Sequence, residues 1–199
     1  MFESKEEVRR YVWNKIERFC RFPKPYGRIP NFSNVRRACE RIRELKEYWE
    51  SNCVFSAPDA PLLRLREIVL EDGKLLLAVK PKLKGFVLVK RKIKPTIKAM
   101  VEYGENVKIE TLKLKVDIFA QGCVAVDLYG NRIGKGSGFG DKEYMILKEH
   151  DILSENAIYV VVAHEVQVFE DLSYLMKKHD VQADIILTPN RIIWTKKNR

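Results

Sequence analysis

The sequence predicts a layered α/β fold, and three observations carry that prediction. Short apolar runs alternate with amphipathic helical stretches along most of the 199 residues, the pattern of strands joined by packed helices. The run AIYVVVA at 157–163 is apolar almost without a break, as a central strand covered on both faces requires. Finally, five glycines crowd into 130–140, between an apolar segment and a helical one. That is where a strand-to-helix turn lets backbone approach a ligand.

Residues 4–20 read as a helix. Ser4 stands at the N-cap with Glu7 in the capping-box position, and Val8, Val12, Ile16 and Phe19 repeat at helical spacing. The Pro- and Gly-dense stretch 22–32 is a loop, and 33–49 is a second helix opened by Ser33 or Asn34. Residues 53–55 form a short strand. A helix over 61–70 carries proline in its first turn. Residues 74–79 give another strand, 86–89 and 107–112 minor ones, and 116–119 and 124–128 buried ones. A helix over 141–149 follows the glycines. After the strand at 157–163 comes a helix around 172–178, and strands at 184–187 and 191–194 flank a TPN turn. With no linker composition, low-complexity tract or repeat, residues 1–199 read as a single domain.

Thirty-seven Lys and Arg against 27 Asp and Glu give a formal charge of +10, which favours polyanionic partners: nucleotides, phosphorylated cofactors, polyglutamates or nucleic acid. The densest basic stretch, 80–98, reads as strands and a loop with Lys on the solvent side. Nucleic acid is not favoured, because no cluster of exposed aromatics accompanies the charge. Cys20, Cys39, Cys53 and Cys123 form no CxxC pair, which argues against a zinc ribbon or a thiol redox motif, and the three histidines lack metal-site spacing. No apolar stretch is long enough to span a membrane, and MFESKEEVRR is charged and helical, unlike a signal peptide. These features predict a cytoplasmic protein.

The chemistry concentrates in VAVDLYGNRIGKGSGFGD at 124–141. Alternate glycines can turn consecutive N–H groups into one concavity that binds phosphate oxygens, a following helix N-terminus adds a favourable dipole, and Arg132 and Lys135 supply fixed positive charge. The dinucleotide pattern GxGxxG fails, since 139 and 141 are Phe and Asp. The P-loop pattern fails too, since 129 is Tyr and 136 is Gly.

In this register the segment resembles the 5-formyltetrahydrofolate cyclo-ligase family, also called methenyltetrahydrofolate synthetases, and in particular its divergent branch. Asp127, Gly130, Arg132, Ile133, Gly134, Gly136, Gly138, Phe139 and Asp141 match the family's motif. KEEVR at 5–9 is similar to its N-terminal helix motif, AHEVQV at 163–168 to the strand and turn after the glycine loop, and HDVQADIILT at 179–188 to its closing segment.

The resemblance implies a three-layer α/β/α sandwich, of a layering shared with sugar-phosphate isomerase and CoA-transferase folds. It implies an ATP-dependent, C–N ring-forming ligase using ATP and Mg2+. Such an enzyme phosphorylates the formyl oxygen of 5-formyltetrahydrofolate, or a related formylated pterin, and closes the ring to the 5,10-methenyl product. By matching motif, Lys5 and Arg9 reach the ATP phosphates from one helix face, and Arg132, Lys135 and the stretch Gly134, Gly136, Ser137 and Gly138 hold them, with Arg132 and Lys135 as the catalytic cations. Asp141 and Asp180 hold magnesium; otherwise Asp141 caps a helix and Asp180 is a loop residue. Asp59 and Phe139 face the pterin. Three departures stand out: Ser137 where the family often has a basic residue, Gly140 in place of a second aromatic, and Asp59 where a glutamate is usual. They leave a second reading, a repurposed ATP-binding paralogue that contacts RNA through its basic surface.

Overall fold

The computed structural model describes residues 1–20 and 22–197. Five parallel strands form the centre of an eight-stranded sheet: β1 (Cys53–Ser56), β2 (Leu75–Val79), β5 (Val116–Gly122), β8 (Leu153–Val162) and β10 (Ile185–Leu187). Antiparallel β3 (Phe86–Val89) and β4 (Glu105–Val107) extend one edge and β11 (Ile192–Trp194) closes the other, in the order β11-β10-β8-β5-β1-β2-β3-β4. A side sheet joins β6 (Ala125–Asp127), β7 (Arg132–Ile133) and β9 (Val168–Phe169). Residues 124–128 were expected as a buried strand. Ala125–Asp127 is such a strand, and it pairs in the side sheet with Arg132–Ile133 and Val168–Phe169.

Side chains alternate across a pleated strand, and that parity splits the core in two. Val54, Leu76, Ala78, Ile118, Ala120, Val160, Val162, Ile185 and Leu187 pack with helices on one face. Those helices are α1 (Lys5–Ile16), α2 (Val35–Glu40) and α4 (Leu63–Glu71), through Val8, Val12, Ile16, Ala38, Leu65, Ile68 and Val69. Phe55, Leu77, Phe119, Tyr159, Val161 and Ile186 point the other way, toward Leu147 of α6 (Phe139–Glu149). The result is the expected three-layer arrangement of helices, sheet and helix.

Local chemistry explains where elements stop. Ser4 caps α1 by accepting from the Glu7 N–H; Glu7 reaches back to the N–H of Glu3 at 2.7 Å rather than to that of Ser4. The single helix expected at 33–49 is broken. Leu45 is extended and buried between a 3-10 turn and α3 (Lys46–Glu50), which lets Tyr48 enter the core and donate to Asp72 at 2.8 Å. The strand expected at 107–112 ends at Val107 and gives way to a 3-10 turn. The helix expected at 172–178 is only the 3-10 turn Ser173–Leu175. Here carboxylates capture the backbone, Asp171 accepting from the Ser173 N–H and Asp180 from that of Lys177, and such local bonds compete with helix. In the basic stretch read as strands and loop, Thr96 instead caps α5 (Ile97–Tyr103).

Candidate functional site

The order of the parallel strands reverses at β1. The chain passes from β1 outward to β2, then returns to place β5 on the other flank. In open α/β sheets ligands bind beyond the carboxyl ends of strands at such a switch point. Here β1 ends into Ala57–Pro58–Asp59 and β5 ends at Gln121–Gly122. A cleft of about 660 Å³ opens there.

All twelve site residues expected from the sequence line this cleft. Lys5 and Arg9 lie one turn apart on α1. Lys5 pairs with Asp180, and the Arg9 Nε donates to the Gly134 carbonyl at 2.7 Å, so the first helix is pinned to the glycine loop. Gly136 and Gly138 have φ of 104° and 68°, conformations that favour glycine, and Gly138 sits at the N-cap of α6. Ser137 is exposed on the loop. Asp141 lies in the first turn of α6 and is not its cap; its carboxylate accepts from Arg132 Nη2 at 3.2 Å.

Arg132 is 6% exposed. One terminal nitrogen faces Asp141 and the other reaches the Gly122 carbonyl at 3.4 Å, while its Nε is buried with no acceptor among the described residues. A buried guanidinium only partly satisfied by protein acceptors thus lies beside the glycine loop. Lys135 stands 3.9 Å from the Asp59 carboxylate. Burial pushes Asp59 upward against the pull of Lys135, Arg132 and Arg66. Asp180 behaves oppositely: burial raises it, but the Lys5 ammonium and the Lys177 N–H outweigh that and hold it low.

Gly140 has a steric reason. A Cβ there would lie 2.6 Å from Arg132 Nη2 and 2.9 Å from Gln121 Oε1, so in this arrangement the arginine occupies the space of a side chain at 140.

Sequence reasoning missed a buried polar layer beneath the loop. Tyr159 donates to Gln121 Oε1 at 2.6 Å, and Gln121 Nε2 donates to Glu143 at 2.8 Å and to the Gly140 carbonyl at 3.0 Å. Glu143 is 4% exposed and lines the cleft; burial, with the charge of Asp59 second, lifts its carboxyl to about 7. Arg66, also missed, is 2% exposed and clamps the Ala57, Asp59 and Pro95 carbonyls at 2.8, 3.2 and 3.0 Å. Its signal was available: an arginine on the buried face of an apolar helix. No group of three or more His, Cys, Asp or Glu gathers as a metal cage among the described residues, and His164 serves packing, stacked on Phe19 and accepting from the Val166 N–H.

The model of the 5-formyltetrahydrofolate cyclo-ligase family matches residues 3–189. The chain belongs to this family. Among curated relatives it is 34% identical over 208 residues to a methenyltetrahydrofolate synthase domain-containing protein of Danio rerio, covering 98% of this chain and 54% of the relative. The protein of that name from Homo sapiens is 32% identical, covering 96% of this chain and 54% of the relative. The chain thus spans about half the length of the curated relatives it matches. The solved structure of Aquifex aeolicus 5,10-methenyltetrahydrofolate synthetase superposes with a TM-score of 0.67 at 25% identity, covering 98% of this chain and 94% of that one. The family fold, a large mixed sheet flanked by helices, is therefore the fold of this chain. Among the described residues, no helix is long and apolar enough to cross a membrane.

Proposed function

We propose that residues 1–199 act as one cyclo-ligase domain that uses ATP and Mg2+ to convert 5-formyltetrahydrofolate, or a related formylated pterin, into the 5,10-methenyl compound in a cytoplasmic setting. The observation that carries this reading is the convergence of Lys5, Arg9, Arg132, Lys135 and the glycine backbone on one cleft at the switch point. Arg132, whose buried guanidinium is only partly satisfied by protein acceptors among the described residues, adds fixed positive charge suited to phosphate.

In this reading Lys5 and Arg9 meet the outer phosphates, and Arg132 and Lys135 neutralise charge on the transferred phosphoryl group, a reaction in which positioning and electrostatics supply most of the catalysis. Asp141 and Asp180 are carboxylates of the type magnesium takes alongside phosphate and water, which fits a site without a full protein cage. Magnesium would supply further charge neutralisation to the phosphates. Each aspartate now faces a cation, so nucleotide binding would redistribute these pairs, freeing Lys5 and Arg132 for phosphate. The formyl oxygen attacks the γ-phosphorus as the bond to ADP breaks and ADP leaves; the phosphorylated oxygen is then a leaving group, so the neighbouring amine bonds to the formyl carbon, gives up its proton, and phosphate departs with the C–O bond. Phe139 and Asp59 flank the space left for the pterin.

The test is turnover. Purified protein with ATP, Mg2+ and 5-formyltetrahydrofolate should give methenyl product, read by its absorbance. ATP binding with no product from any formylated pterin would overturn the reaction and leave the nucleotide site.

A further inference from the structure

We infer that Glu143 is a specificity residue whose carboxylate receives paired N–H donors from the ligand's heterocycle, the edge at which an amino group and a ring N–H stand side by side. This rests on the pterin reading above and adds a residue to it.

Glu143 occupies the inner face of α6, one turn before buried Leu147, where an apolar side chain would ordinarily pack. A carboxylate there is costly unless hydrogen bonds compensate it. An ionised carboxylate has room for about four donors, yet only Gln121 Nε2 reaches it among the described residues. Gln121 cannot turn away to offer more. Its oxygen is held by the Tyr159 hydroxyl, and its amide nitrogen is shared with the Gly140 carbonyl.

The cations of the cleft do not fill the gap. Lys5 faces Asp180, Arg132 faces Asp141, Lys135 faces Asp59, and Arg9 is divided between Glu6 and the Gly134 carbonyl. The cleft therefore has two characters. The glycine loop presents donors and positive charge for an anion, while the floor at Glu143, with Asp59 in the same cleft, presents acceptors short of donors. A ligand filling both is anionic at one end and rich in N–H groups at the other, as a 2-amino-4-oxo-pyrimidine edge is.

The experiment compares binding of pterin and of lumazine, which carries a carbonyl where pterin carries the 2-amino group, to wild type and Glu143→Gln in the presence of ATP and Mg2+. Wild type should prefer pterin by on the order of tenfold or more, because lumazine keeps one ring N–H for the carboxylate but sets a carbonyl against its second oxygen where pterin offers an amino N–H. The variant, whose amide can donate to the carbonyl, should lose or reverse that preference with ATP affinity unchanged. If wild type turns over 5-formyltetrahydrofolate, the variant's KM for it should rise about tenfold as well. A pterin-to-lumazine ratio equal in both proteins overturns the inference even if turnover is normal. Loss of the ratio in the variant upholds it even if wild type makes no methenyl product, in which case only the proposed reaction falls. A wild type that discriminates between neither ligand refutes it outright.

Discussion

Asp127→Asn tests how the glycine loop is anchored. Asp127 is fully buried and accepts four hydrogen bonds: from the N–H groups of Tyr129 and Asn131 on one oxygen, both at 2.9 Å, and from Asn131 Nδ2 and the Leu172 N–H on the other, at 2.8 and 2.6 Å. Asparagine has nearly the same shape, but one end becomes an NH2 that must face two donors, and the Asn131 amide can rotate to relieve only one of the four contacts. At least one buried backbone N–H is orphaned and the charge assistance of the rest is lost. An orphaned buried donor costs about 1–3 kcal/mol, and bonds to charged groups contribute more than neutral ones, so the variant should lose about 2–4 kcal/mol. For a chain of this length that lowers Tm by about 5–15 °C. Urea and thermal unfolding followed by circular dichroism measure both. A loss below about 1 kcal/mol would show that the turn before Arg132 does not depend on this carboxylate.

Lys135→Ala should weaken ATP binding more than folate binding, by about tenfold for a lost charge-assisted contact; calorimetry with each ligand decides, and an unchanged nucleotide affinity counts against the loop assignment. Gly140→Ala puts a Cβ against Arg132 and Gln121 and should cost about 1–3 kcal/mol of overpacking while loosening nucleotide binding; normal stability with normal ATP affinity would refute the steric account. Glu143 should also govern the pH dependence of stability. Its carboxyl is raised by burial from 4.5 to about 7, so the folded chain retains a proton that the unfolded chain releases, and stability falls as pH climbs through that interval. The full shift corresponds to about 3 kcal/mol. Glu143→Gln should flatten that decline in unfolding curves recorded from pH 4 to 8, and an unaltered slope would place the titration elsewhere.

What was legible in the sequence was what is local or patterned. The glycine run is local: its φ angles, its register with Arg132 and Asp141, and the start of the helix behind it all fall within the 18 residues 124–141. The apolar run at 157–163 announced a central strand because covering both faces leaves no polar alternation. Leu45 was not legible, since its extended backbone answers to the position of Tyr48 against Asp72, on another helix's end. Helix α5 hid behind the lysine-rich stretch that precedes it, although Thr96 offered a cap signal. Glu143 and Gln121 could not be joined by reading the chain. They are 22 residues apart, on a helix and a strand end, and only the packing of α6 over the end of β5, beside Tyr159 of β8, brings them under the loop. Gly140 looked like an eroded motif until Arg132 was seen filling its place.

The pairing of Lys5 with Asp180 spans 175 residues, nearly the whole distance from first helix to last strands. One wall of the cleft therefore joins the first helix to the 177–180 turn just before β10. If the proposed nucleotide site is the true one, a partly made chain that holds the glycine loop lacks Lys5 in its final place, and nucleotide affinity becomes a readout of completed folding. Added ATP would then act as a template, favouring late docking of the 177–180 turn onto α1 and slowing its release during unfolding.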